Sequence, residues 1–239
     1  MEETGWSWAG VIDRNRAILL RIVAMLAAMA GMIDGETPRT LPRHRLNAVR
    51  RILRTAESAM RRLIVIAAHQ IADIPPPVGV FMYGLSGGEP GRRPARKAAN
   101  GDADAPVPPF PLTDPVKRFS VDVRSPKPKS FPRITIIGLT EPTPVPDGWY
   151  LLPEDEIDAR PLCRRILSMQ RVLGDIEAEA RRLARLQQRR DKASASKNRR
   201  SPIRVGPPPG RRRRPIHEVD AVLADLHWLA NDELAQDSS

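Results

Sequence analysis

Cysteine, aromatic residues and long apolar runs are all scarce in this chain. A single cysteine, Cys163, excludes an intramolecular disulfide framework and any multi-cysteine zinc or iron–sulfur cage. Aromatic residues make up only 4% of the 239 positions, so burial falls mainly to aliphatic side chains. The four histidines, His44, His69, His217 and His227, include no pair four residues apart, and no carboxylate or cysteine completes a metal-ligand spacing. His217 with Asp220, and Asp220 with His227, share a helix face, but such offsets are common by chance. Cys163 has no identifiable partner base, which points to an ordinary thiol rather than a nucleophile. The glycine-rich stretch from Gly84 to Arg93 has neither the Gly-Lys-Ser/Thr ending of a phosphate loop nor a Gly-x-Gly-x-x-Gly turn. Glu154, Asp155 and Glu156 precede a helix, where their expected role is to complement its dipole. These absences together predict no enzyme, no cofactor and no metal site.

The longest apolar run, Ile22 to Ile33, is twelve residues, short of the ~20 that a membrane-spanning helix needs. It has the length of a signal-peptide core, follows Arg14, Arg16 and Arg21, and contains Ala28-Met29-Ala30, which resembles a cleavage site. Glu2, Glu3 and Asp13 lie where a signal peptide would be positive, and the run has helical seam spacing. The expectation is therefore a buried core helix in a cytoplasmic protein. A membrane-associated or envelope-anchored protein using residues 17–33 is the alternative, and a cleaved signal the third reading.

What the chain has in quantity is proline, and its placement divides the sequence. Seventeen of the 25 prolines lie between Pro75 and Pro153, which excludes continuous helix or central strand there. This insert is expected to be irregular and partly disordered, with four runs able to form short strands: residues 78–83, 119–123, 133–137 and 149–152. On either side, apolar residues recur at heptad spacing. One seam reads Leu46, Val49, Leu53, Ala56, Met60, Leu63, Ala67, with Pro42 in the first turn and Thr40 as N-cap. Another reads Leu162, Ile166, Met169, Leu173, Ile176, Ala180, Leu183 behind Pro161, with Gly174 tolerated at mid-helix for about 1 kcal/mol. Leu19, Ile22, Leu26, Met29 and Ile33 mark a further helix, and Ile216, Val219, Leu223, Leu226 and Ala230 the last.

Lone helices of this length are marginal in water, so the four seams are expected to bury one another. The predicted fold is mainly α, a small bundle of about four helices. Residues 1–74 form an N-terminal helical pair and 75–153 the insert. Residues 154–191 are the third helix, 192–214 a basic disordered linker and 215–239 an acidic C-terminal helix. A coiled-coil homodimer through the same seams is the alternative packing.

Charge is as unevenly spread as proline. The net charge is +11, yet residues 181–214 alone carry fourteen basic residues against Asp191, a charge of +13. The last 25 residues hold six acids and no Lys or Arg. At ~100° per residue, Arg43, Arg50, Arg54 and Arg61 fall on one stripe of the second helix, facing outward opposite the seam, with Arg51 and Arg62 in a second line. Arginine in such concentration predicts an anionic partner, a nucleic acid or an acidic protein, with a membrane surface as second choice. The competing reading pairs the arginines with the protein's own acids, Glu218, Asp220, Asp225, Asp232 and Glu233 of the last helix and Glu154, Asp155, Glu156 and Asp158 before the third. The candidate polyanion-binding residues are Arg50, Arg54, Arg61, Arg199, Arg200, Arg211, Arg212, Arg213 and Arg214. No aromatic residue interleaves the basic tract, so base stacking is not expected.

Four segments taken as a set, DRNRAILLRIVAMLAAMAG (13–31), LPRHRLNAVRRILRTAESAMRRLIVIAA (41–68), DARPLCRRILSMQ (158–170) and SPIRVGPPPGRRRRPIHEVDAVLADLHWLA (201–230), resemble an uncharacterised family of alphaproteobacterial proteins. The resemblance leaves the proline-rich middle largely unmatched. It implies a bacterial source and brings no assigned activity and no functional residues. The functional expectation is a non-catalytic helical interaction protein whose arginine-rich tract engages a polyanion or an acidic partner.

Overall fold

The structure, a computed structural model, describes residues 7–32, 36–71, 107–115, 152–192, 201–204 and 206–236. Among these residues the chain forms five helices and one two-stranded ribbon: α1 Trp8–Met29, β1 Thr40–Pro42, α2 Arg43–His69, β2 Glu156–Asp158, α3 Arg160–Gly174, α4 Ile176–Lys192 and α5 Glu218–Gln236. The protein is mainly α, as the seams require. The apolar rows of α1, α2, α4 and α5 meet within one chain, with α2 at the centre and α3 packed chiefly on α1. Every residue of the Leu46–Ala67 and Leu162–Leu183 seams is buried. Each large aliphatic side chain so placed is worth about 1.5–3 kcal/mol, which no helix here could gain alone.

Three local expectations are corrected. The Leu162–Leu183 seam runs over two helices, because the chain breaks at Gly174 and Asp175. Asp175 leaves helical geometry at φ −144° and its Oδ1 accepts from the Ala178 N–H at 2.9 Å, so it caps α4. Leu173 and Ile176 are both buried, so the seam passes through the break. Thr40 lies in β1 and caps nothing; Pro42 occupies the N-cap of α2 without a side-chain bond. The orphan N–H groups of Arg43 and His44 donate instead to the carbonyls of Asp155 and Pro153 at 2.9 and 3.0 Å. Finally, Ile216 precedes α5 and is 79% exposed, so the last seam begins at Val219. Ile33 lies outside the described residues, and Met29 sits at the rim of its seam.

α1 is a core helix, with Ser7 as N-cap and Leu19, Ile22, Val23 and Leu26 buried. None of the described helices is long and apolar enough to cross a membrane. β1 and β2 pair antiparallel with Leu41 opposite Ile157, closing the entry to α2 against the entry to α3. The expected strands at 78–83, 119–123 and 133–137 lie outside the described residues. So does the fourth except for Leu152, which is not in a strand.

Two irregular segments complete the described fold. Residues 107–115 lie as an extended strap that buries Phe110, Leu112 and Asp114. Residues 201–204 and 206–214, expected within a disordered linker, are instead seated on the bundle, with Pro202, Ile203, Pro208 and Pro209 buried. Gly210 shows how close that seat is. It has φ +87°, and a Cβ there would come within 2.9 Å of Thr55 Oγ1 and 3.0 Å of the Thr55 backbone. Thr55 Oγ1 donates to the Gly210 carbonyl at 3.2 Å.

Candidate functional site

The arginine stripe of α2 starts in solvent and ends inside the protein. Arg50 and Arg54 are exposed, whereas Arg61 is 4% and the neighbouring Arg62 0% exposed. The outward-facing arrangement expected from the sequence therefore fails for the last turns of α2, because the helix is enclosed on all sides from Thr55 to Ala68. The strap and the 201–214 segment close the face that the helices leave open.

Two buried arginines demand charge and hydrogen-bond partners. Arg62 has all of its nitrogens engaged. Its Nη1 donates to the Ser58 carbonyl and hydroxyl, both at 2.7 Å, its Nη2 to Asp114 Oδ2 at 3.0 Å, and its Nε to His227 Nδ1 at 3.1 Å. Arg61 Nη1 donates to the Glu57 carbonyl at 3.2 Å, and its guanidinium lies 5.9 Å from the centroid of the Phe110 ring. Arg61 Nε and Asp114 Oδ1 stand 3.5 Å apart, an ion pair without a hydrogen bond, both shut off from solvent. Burial pulls both guanidinium pKa values down and Asp114 pushes them back up; arginine remains charged throughout. Asp114 also fixes the basic segment, since its backbone N–H donates to the Pro202 carbonyl at 2.9 Å. Glu57 is taken up by Arg165 of α3 in a bidentate pair at 2.8 and 2.9 Å, which raises the Arg165 pKa. The countercharge for Arg61 and Arg62 thus comes from Glu57 and from the strap's Asp114. Among α5 residues, Arg62 meets His227 rather than an acid.

The exposed arginines line three adjoining grooves. One, of about 680 Å³, lies between α2, α3 and the strap and is lined by Arg50, Arg54, Arg61 and Arg165. A second, of about 370 Å³, is lined by Arg182, Arg185 and Arg189 of α4, and meets the first at Thr113. The third, of about 630 Å³, lies between residues 208–215 and α5 and is lined by Arg211, Arg212, Arg213, His227 and Trp228. Pro209 borders the first groove and Pro208 the third, so one proline ridge separates them. No described residue pairs with Arg50, Arg54, Arg185 or Arg189.

Of the candidate residues, Arg50 and Arg54 open onto the first groove, where Arg61 is committed to internal pairing. Arg211, Arg212 and Arg213 border the third, Arg214 is exposed beside it, and Arg199 and Arg200 lie outside the described residues. Sequence reasoning missed Arg182, Arg185 and Arg189 as a unit. Their spacing of three and four was a readable helical signal, lost among fourteen basic residues. It also missed Asp114, Arg165 and Trp228, which reach these places only through the fold.

Two other titratable groups complete the picture. His227 accepts from the donor-only Nε of Arg62, so its ring is neutral, and burial, Arg62 and Arg211 all hold its pKa below the usual histidine value. Cys163 is buried, and burial raises its pKa, away from a reactive thiolate. Among the described residues no group of three or more His, Cys, Asp or Glu side chains is placed to hold a metal ion. No family model, no curated protein and no solved structure matches this chain.

Proposed function

We propose that this protein is a non-catalytic binding module whose adjoining basic grooves receive the phosphate backbone of a nucleic acid. The observation that carries the reading is a set of exposed arginines that pair with no described residue, Arg50 and Arg54 on one side of the strap and Arg185 and Arg189 on the other. Guanidinium groups suit phosphate because they offer planar, paired donors, and their charge survives at any physiological pH. Binding of this kind displaces condensed counterions and is strongly dependent on salt. Arg61 and Arg62 are buried with their own acids while these four have none among the described residues, which supports a track of positive potential.

Retention of a labelled nucleic acid, measured by fluorescence anisotropy across a salt series, tests the proposal. Replacing Arg50 and Arg54 together by Ala is expected to weaken binding and to lower the slope of log K against log salt by about 2. An unchanged affinity and slope overturn it. An acidic protein partner is the competing outcome, and would appear as no measurable affinity for the nucleic acid at ~0.1 M salt.

A further inference from the structure

The groove beside α5 has a feature that the other two lack. Trp228 is 68% exposed on its wall, although it is one of only four tryptophans in the chain. In sequence it stands well apart from the arginine run at 211–214. The fold closes that gap. Residues 208–215 run alongside α5, so Arg211, Arg212 and Arg213 line the same groove as the indole. An exposed indole face bordered by three guanidinium groups offers a stacking surface surrounded by positive charge, which suits a ligand that is both aromatic and anionic. Against these three arginines the lining holds two acids, Asp220 and Asp232; Asp220 Oδ2 is engaged by the backbone N–H groups of Ile216 and His217, which donate to it at 3.0 and 3.1 Å. His227 in the floor is neutral, held by Arg62, and so adds an edge for hydrogen bonding rather than more charge.

We infer that this groove is a nucleotide subsite for single-stranded nucleic acid: one base stacks on Trp228 while Arg211, Arg212 and Arg213 hold the phosphates flanking it. The inference rests on the phosphate-binding reading above and sharpens it. A single strand offers free base faces for an aromatic wall, whereas a duplex keeps its bases paired and stacked internally. The groove's volume of about 630 Å³ suits one nucleotide unit rather than a helix of nucleic acid. It also adjoins the Arg50 and Arg54 groove across the Pro208–Pro209 ridge, so a strand leaving Trp228 meets further arginines.

The test compares an oligothymidylate of about 15 nucleotides with a duplex of equal length and with inorganic polyphosphate, for the wild type, Trp228→Ala and Trp228→Phe. Single-strand affinity is expected to fall about tenfold in Trp228→Ala and to recover to within about threefold in Trp228→Phe. Affinity for duplex and polyphosphate should stay unchanged in both. Tryptophan fluorescence, quenched by the single strand in the wild type, should lose that quenching in Trp228→Phe. If Trp228→Ala weakens all three ligands equally, or none, the stacking subsite is overturned while the phosphate reading stands. If the wild type binds none of the three, both are overturned.

Discussion

The two ends of α2 put the same side chain to opposite uses. Arg50 and Arg54 stand in solvent without a described partner, whereas Arg61, on the same stripe, and Arg62 are enclosed among Ser58, Glu57, Asp114 and His227. Chemistry does not separate the two pairs; cover does. Gly210 seats on Thr55 and the strap's Asp114 meets Arg61 and Arg62, so the acid that makes their burial tolerable arrives with the strap itself. One pair of arginines therefore positions two irregular segments, and the other pairs with no described residue. Charge near the surface contributes about 0–1 kcal/mol per pair to folding, while an uncompensated buried charge costs several times more.

That contrast can be broken most severely at Asp114. Replacing it by Ala leaves Arg61 and Arg62 buried without their carboxylate, and is expected to cost about 3–5 kcal/mol of unfolding free energy in a denaturant titration. A loss below about 1 kcal/mol would mean that the strap is not what neutralises these arginines. A smaller effect should come from pH. His227 has a folded pKa below its unfolded value of about 6.5, so the unfolded chain takes up the proton first as pH falls. Its contribution to stability is complete above pH ~6.5 and is lost as pH drops from there through the folded pKa. Burial sets this first, then Arg62 and Arg211, with Asp114 opposing them and Arg204 adding repulsion. Thermal midpoints should decline as pH falls below ~6.5, and His227→Gln should flatten that decline; an equal decline in both proteins assigns it elsewhere. The smallest effect belongs to the exposed end, where Ala at Arg50 and Arg54 should move stability by no more than about 0.5 kcal/mol while weakening nucleic-acid retention.

The helical body was legible because heptad spacing depends on neighbours along the chain, and both long seams are buried throughout. The break after Gly174 was less so. The hydrophobic phase continues through it, and only the helix-breaking glycine followed by an Asx cap marked the place. The site divides in the same way. Arg50, Arg54 and the 211–213 run were visible as local charge. The burial of Arg61 depends on Asp114, 53 positions away in sequence, and no spacing rule reaches that far. Proline content suggested irregularity across the insert, yet irregular chain packs well where it carries a Phe, a Leu and a buried acid at alternate positions, as Phe110, Leu112 and Asp114 do. Trp228 looked like one more residue of an acidic helix until the basic tract was laid beside it.

Arg62 and Asp114 form one buried unit that joins α2 to the strap, and a double-mutant cycle on the pair is its sharpest test. Unfolding free energies would be measured for the wild type, Arg62→Ala, Asp114→Ala and the double variant. A coupling of about 2–3 kcal/mol is expected, with the double variant losing clearly less than the sum of the two single losses. Additive losses, with a coupling below about 0.5 kcal/mol, would contradict it.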